Sequence, residues 1–305
     1  MGTGDIALPS FRWLADGIHR PLALVTQPDR PAGRHRELRA PAIKDEAVSR
    51  GIPVMQPEKV RDAAFLEELA ALEPDLIVVM AYGQILPKKL IRIPGVACVN
   101  LHASLLPKYR GAACIQAAID AGDAETGITL MHVVRELDAG DVIAAMKLKI
   151  DAADTGGSLH DRLAGVAADL LKASFEDLMA GRAARVPQAG LGEASHVGKL
   201  DREDGRLDWK WTAARLSRRI RAYDPWPGTW CLDPGGEKRI KIFPAIGEGD
   251  CAGRPGELFE EGSALHVCCG GGSLILGDVQ PDGGRRMAAL DWWRGRKERE
   301  ASCLG

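Results

Sequence analysis

The chain has 305 residues, 46% of them hydrophobic and 27% charged, with a net charge of −2. That length holds about two domains of ~100–200 residues each, and the composition is that of ordinary globular protein. No apolar run reaches the ~18 residues that cross a bilayer. Met1 leads straight into a Gly-rich turn with no signal peptide, so the expected location is cytoplasmic, away from membranes. The near-neutral charge by itself names no nucleic-acid partner.

In chain order, the first pattern is Gly2-Thr3-Gly4-Asp5-Ile6-Ala7, which fits the dinucleotide fingerprint G-x-G-x-x-A, with Asp29 downstream. That fingerprint needs a strand directly before it, and only Met1 stands there. The expectation is a tight strand-to-helix turn without a nicotinamide cofactor. Strands are predicted at residues 22–26, 53–55, 76–80 and 97–102, with a later pair at 128–134 and 142–150. Helices fall between them at 42–50, 63–72 and 115–121, an alternation that predicts a Rossmann-like α/β domain with a mostly parallel sheet over residues 1–180. Its last helix spans 158–180, where Leu159, Leu163, Val166, Leu170, Leu171 and Leu178 form one stripe. Gly181 then stops it as a C-cap.

Residues 181–200 are rich in Gly and Ala, lack periodicity and read as a linker. Beyond it, a short helix near 212–222 precedes brief β runs at 239–243, 264–269 and 273–277. These predict a small C-terminal domain over 201–305, a β-barrel of the OB-like kind. The seven cysteines are irregularly spaced and include no Cys-x-x-Cys pair, so they read as reduced structural thiols with no metal site.

Two basic clusters stand out: Arg30, Arg34, Arg36, Arg39 and Lys44, and then Lys210, Arg215, Arg218, Arg219 and Arg221. Taken singly, each reads as a solvated face. In the second, Leu216, Ile220 and Tyr223 fall at helical spacing toward a core, which leaves Arg215, Arg218 and Arg219 pointing outward.

The residues richest in chemistry lie in Val99-Asn100-Leu101-His102-Ala103-Ser104-Leu105-Leu106-Pro107-Lys108-Tyr109-Arg110-Gly111. Asn100 and His102 are two apart on a predicted strand, so both leave the same face. They stand at its C-terminal end, where open α/β sheets form their ligand crevice. Leu137-Asp138-Ala139-Gly140-Asp141 is a turn that can carry a carboxylate to the same crevice. Alone, the first pair is an ordinary polar pair and the second an ordinary turn.

Together these segments resemble the folate-dependent formyltransferase family. The resemblance implies that Asn100, His102 and Asp138 are the catalytic set. It also implies that Ser104, Leu105, Leu106 and Pro107, with Met80, Ala81 and Tyr82 after an earlier strand, bind folate. Residues 26–34 resemble the loop that family members acting on methionyl-tRNA insert beside the acceptor end, and residues 208–209 and 221–230 resemble landmarks of their C-terminal domain. On that likeness the substrates are 10-formyltetrahydrofolate and the α-amino group of methionine on initiator tRNA. Arg34, Arg36, Arg215, Arg218 and Arg219 would contact the tRNA, and no metal is needed. The protein is expected to be a monomer. In the chemistry so implied, Asn100 and His102 donate to an oxyanion while Asp138 orients the imidazole and relays a proton. The alternatives are a hydrolase that passes the formyl group to water, another folate-dependent N-formyltransferase, and an inactive folate- or RNA-binding relative. Two positions depart from the family pattern. Cys114 stands where Pro is usual, and the first strand, which normally precedes the Gly2-Thr3-Gly4 turn, is missing, as if the true start lay upstream.

Overall fold

The computed structural model describes residues 1–32, 37–296 and 303–305. By contact the chain divides into two compact units. The first comprises Met1–Cys114, Glu125–Lys149 and His160–Val197; the second comprises Ile115–Ala124, Ile150–Leu159 and Gly198–Gly305.

In the first unit, Leu76–Val79 and Ala97–His102 pair in parallel, with Val79 opposite Asn100. Leu76–Val79 is apolar throughout and Ala97–His102 is apolar but for Asn100 and His102, as befits strands covered on both faces. Glu125–His132 then joins Ala97–His102 antiparallel, His102 opposite Thr129, and Val142–Lys149 joins Glu125–His132 antiparallel in turn. The sheet is therefore mixed, not mostly parallel. For the last two strands the physical reason is the short connection through residues 133–141, which can only turn back on itself, whereas a parallel neighbour requires a crossover.

Among the described residues no strand element precedes the Gly2-Thr3-Gly4 turn. Leu24–Val25 and Val54–Met55 form a separate parallel ladder, and Met1 and Gly2 stand beside it. Gly2 N–H donates to the Val25 carbonyl and Met80 N–H to the Met1 carbonyl, each at 3.0 Å. These first two residues thus touch both ladders through single hydrogen bonds and one isolated bridge, from Gly2 to Met80. The Met1 amino group is buried there, donating to the Val78 carbonyl at 2.7 Å, and burial lowers its pKa from 8.0 to about 6. A cavity of about 270 Å³ is lined by Met1, Phe11, Leu14, Leu24, Leu76 and Phe175. The chain then turns through Asp5–Ala7 into the helix Leu8–Asp16, with Pro in its first turn. Asp29, 2.7 Å from both Lys44 Nζ and Gln56 Nε2, is held by those two side chains. The helix Gly156–Met179 buries the predicted stripe at Leu159, Leu163, Leu170, Leu171 and Leu178. Gly181 ends it in the left-handed region at φ 66°.

The second unit holds two four-stranded antiparallel sheets in place of the expected OB-like barrel. One runs Thr229–Leu232, Arg239–Ile242, Asp278–Pro281, Met287–Ala288 and the other Gly247–Gly249, Ser273–Leu276, Ala264–Cys268, Leu258–Glu261. Among the described residues no ladder joins them. The chain leaves one sheet at Leu276 and enters the other at Asp278, with Gly277 as the corner between them. Leu216, Ile220, Ile240, Leu265, Val267 and Leu274 lie in the shared core. Cys251 and Cys268 are joined as a disulfide across a Cα separation of 5.6 Å, against the reading that all thiols are reduced. That spacing suits a bridge, and nothing in the local sequence announces it.

Candidate active site

The strand Ala97–His102 presents Asn100 half-buried and His102 buried on one face at its C-terminal end. His102 Nε2 lies 2.9 Å from the Tyr109 carbonyl oxygen, and its Nδ1 lies 3.6 Å from Asp138 Oδ2. Since a carbonyl can only accept, the neutral ring carries its proton on Nε2 and its lone pair on Nδ1, a tautomer inferred from the partner. Asp138 sits at φ 49°, a left-handed conformation that Asp tolerates better than most residues. Its Oδ2 accepts the Gly111 N–H at 2.9 Å. Gly111 itself is at φ 112°, and a Cβ there would collide with the Val197 carbonyl. Among the described residues the Asn100 carboxamide has no hydrogen-bond partner, so its donors are available to a ligand. The structure thus brings the His102 imidazole and the Asp138 carboxylate together, with Asn100 two residues before His102 on the same strand.

The loop that follows is built from inside. Ser104 Oγ donates to the Lys108 carbonyl at 2.6 Å. Thr129 Oγ1 donates to the Ser104 carbonyl at 2.7 Å and accepts the Leu106 N–H at 3.0 Å. Ser104, Leu106 and Pro107 are buried, so they shape the loop. Leu105 lies against Gly127, where a Cβ would stand 2.7 Å from its Cδ2. Thr129 was not singled out from the sequence; the available signal is a hydroxyl inside an apolar strand, which must find partners when buried. Because Val79 faces Asn100, Met80, Ala81 and Tyr82 leave their strand beside the catalytic one. Met80 and Tyr82 are buried and Ala81 is exposed at φ 47°. Burial raises the Tyr82 phenol to about 12, and its hydroxyl has no partner among the described residues.

Residues 186–197, expected to be linker, run as a strap along these loops. Val186 bridges Val142, and His196–Val197 pairs in parallel with Arg110–Gly111. Ser195 Oγ accepts the Tyr109 N–H at 2.8 Å. Gln188 is 4% exposed; its Nε2 donates to the carbonyls of Asp138 and Gly140 at 2.9 and 2.8 Å. Its Oε1 accepts from Arg110 Nε and Nη2 at 3.1 and 2.7 Å.

His132 closes the neighbouring strand with Nε2 3.2 Å from the Ala184 carbonyl. Burial lowers its pKa from 6.5, with Arg185 adding to the effect. The unfolded chain therefore takes up a proton that the folded chain refuses. Stability from this site is complete above about pH 6.5 and is lost as pH falls toward the depressed folded value. Melting temperature measured from pH 7.5 to 5 should fall more steeply for the natural chain than for His132→Gln; parallel curves would remove His132 from the acid response.

Of the expected tRNA residues, Arg34 and Arg36 lie outside the described residues. Arg215 is exposed, its guanidinium 3.6 Å from the Trp211 ring centroid. Arg218 and Arg219 do not point freely outward. Arg219 Nη2 lies 2.7 Å from Asp120 Oδ2, and Arg218 Nε donates to the Asp120 carbonyl at 3.2 Å. Helical spacing places them off their own helix's core, but Asp120 on Cys114–Ala121 occupies that side.

The comparisons give the class of protein, a one-carbon transferase: the chain belongs to the formyl transferase family. The family's profile matches residues 15–174, and that of its C-terminal domain matches residues 199–297. Methionyl-tRNA formyltransferase of Akkermansia muciniphila is 50% identical over 293 residues, 94% of this chain and 92% of that one. Its counterpart in Stenotrophomonas maltophilia is 44% identical over 300 residues, 97% and 96% of the two chains. Among solved structures, the fold resembles the N-formyltransferase from Helicobacter canadensis in complex with folinic acid and dTDP-3-aminofucose. That match has a TM-score of 0.64 at 16% identity and covers 94% of this chain and 97% of that one.

Proposed function

We propose that this protein transfers the formyl group of 10-formyltetrahydrofolate to the α-amino group of methionine esterified to initiator tRNA. The observation that carries the reading is the approach of His102 Nδ1 to Asp138 Oδ2 at 3.6 Å beside an unpartnered Asn100. Identity with methionyl-tRNA formyltransferases over nearly the whole chain supports the choice of acceptor.

The co-substrate supplies a formyl carbon activated by its bond to nitrogen, and the free donors of Asn100 fit a formyl oxygen. Asn100 offers an amide N–H where negative charge collects as that carbon is attacked, a donor independent of pH. His102, with Nε2 engaged by Tyr109, has the Nδ1 lone pair free to take a proton from the attacking amine. Asp138 then stands close enough to stabilise the imidazolium, from which the proton passes to the departing nitrogen. Met80, Ala81 and Tyr82, with the Ser104–Pro107 loop, form the folate-binding wall in this reading. Arg34, Arg36 and Arg215 contact the tRNA, and Arg218 and Arg219 brace the helix from Asp120. Residues 1–180 carry the catalytic side chains, with residues 186–197 of the 181–200 segment strapped along their loops, and residues 201–305 are the tRNA-binding domain.

Incubation with labelled 10-formyltetrahydrofolate and charged initiator tRNA should yield formyl-methionyl-tRNA. Formate release without tRNA would instead mark a hydrolase, and no turnover an inactive binding relative. Arg215→Ala should raise KM for charged tRNA, leave KM for the folate unchanged and reduce the salt dependence of tRNA binding by about one phosphate contact. Equal salt slopes for the two proteins would take Arg215 off the tRNA surface.

A further inference from the structure

We propose that Gln188 is a positioning residue for formyl transfer, acting by fixing Asp138 against His102. The inference rests on the catalytic reading above and extends it to a residue in the strap. Gln188 is nine-tenths and more buried, yet every polar group of its side chain is engaged. Its two N–H groups serve the carbonyls of Asp138 and Gly140, and its oxygen takes two bonds from Arg110. Only a carboxamide can give two donors and an acceptor in one plane at that reach; Glu lacks the donors, and Lys and Arg lack the acceptor.

The partners are not scattered. Asp138 bears the catalytic carboxylate, and Gly140 closes the same turn. Arg110 stands between Tyr109, whose carbonyl holds His102 Nε2, and Gly111, whose N–H holds Asp138 Oδ2. One side chain therefore grips both loops at the residues adjoining each bond that orients the imidazole and the carboxylate. Asp138 and Tyr109 also lie in the left-handed region, at φ 49° and 59°. Such conformations persist where the surroundings over-determine them. Without Gln188 the turn bearing Asp138 keeps its Gly111 bond but loses its hold from behind. A misplacement of about 1 Å at such a site can cost about 10²-fold in rate.

The test is a double-mutant cycle on the full-length chain, with formyl-methionyl-tRNA formation as the readout. Gln188→Met keeps the length and removes all four bonds. Gln188→Glu, run beside it, keeps the volume and the Arg110 pairing but not the donors, so that one folded variant decides. Either should lower kcat by about 10- to 100-fold, with KM for both substrates near the natural values and a cooperative melt. In an Asp138→Asn background the same change should cost less than about threefold, because the group being positioned is already gone. An equal loss in both backgrounds, or an unchanged kcat in the natural one, overturns the proposal. If Asp138→Asn alone retains normal activity, the catalytic reading fails instead, and the two failures are told apart.

Discussion

Asn100→Ala should lower kcat about 10²–10³-fold, the ~2.7–4 kcal/mol of losing one oxyanion donor, while the protein stays folded. The expectation combines two facts. The Asn100 backbone is paired on both sides, with Val79 and with Met131, so truncation leaves the ladder intact. Among the described residues its carboxamide makes no hydrogen bond, so truncation breaks none. KM for the folate should change little, because the donor acts on charge that develops during the reaction. Asp138→Asn should give a comparable loss for a different reason: a neutral amide can still accept from Gly111 but cannot stabilise a charged His102. Single-turnover rates with charged initiator tRNA measure both. A rate within about fivefold of normal for either variant, against the 10²-fold expected, removes that residue from the mechanism.

The strand Ala97–His102 was legible to the residue because a short, mostly apolar run suits a covered sheet. Alternation along it then gave the shared face of Asn100 and His102. Asp138 was reachable only through the family resemblance. Its approach depends on a left-handed backbone and on the N–H of Gly111, neither of which leaves a periodic trace. Gln188 was invisible for a related reason. It lies in a Gly- and Ala-rich stretch without periodicity, and its burial is imposed by loops distant in sequence. Arg218 and Arg219 show the limit of helical spacing: the pattern reports which residues avoid their own helix's core, not which carboxylate arrives from elsewhere. The small C-terminal β domain was legible, but its strand pairing was not, because strands such as Thr229–Leu232 and Met287–Ala288 are too short for alternation to register. Which sheet each one joins is decided at corners such as Gly277.

The turn bearing Asp138 provides a second decisive substitution, one that touches no reacting group. Gly140→Ala should lower kcat by about 10²-fold and stability by about 1–3 kcal/mol. A Cβ at Gly140 would collide with the His132 carbonyl oxygen and stand 2.9 Å from its carbon. Neither side can yield cheaply. The His132 N–H is bonded to the Asp141 carbonyl at 2.9 Å, and the Gly140 carbonyl is held by Gln188 at 2.8 Å. The added methyl must therefore push the turn outward, and Asp138 moves with it. Gly165→Ala is the matched contrast. That glycine lies within the helix Gly156–Met179, and no neighbouring group comes within 4 Å of where its Cβ would stand. There the same change should raise stability by about 0.5–1 kcal/mol and leave kcat alone. Each variant adds one methyl, yet Gly140→Ala should lose both melting temperature and turnover while Gly165→Ala gains the first and keeps the second. Normal turnover in Gly140→Ala would mean that the turn has slack, and that the 3.6 Å approach of Asp138 to His102 is not what sets the rate.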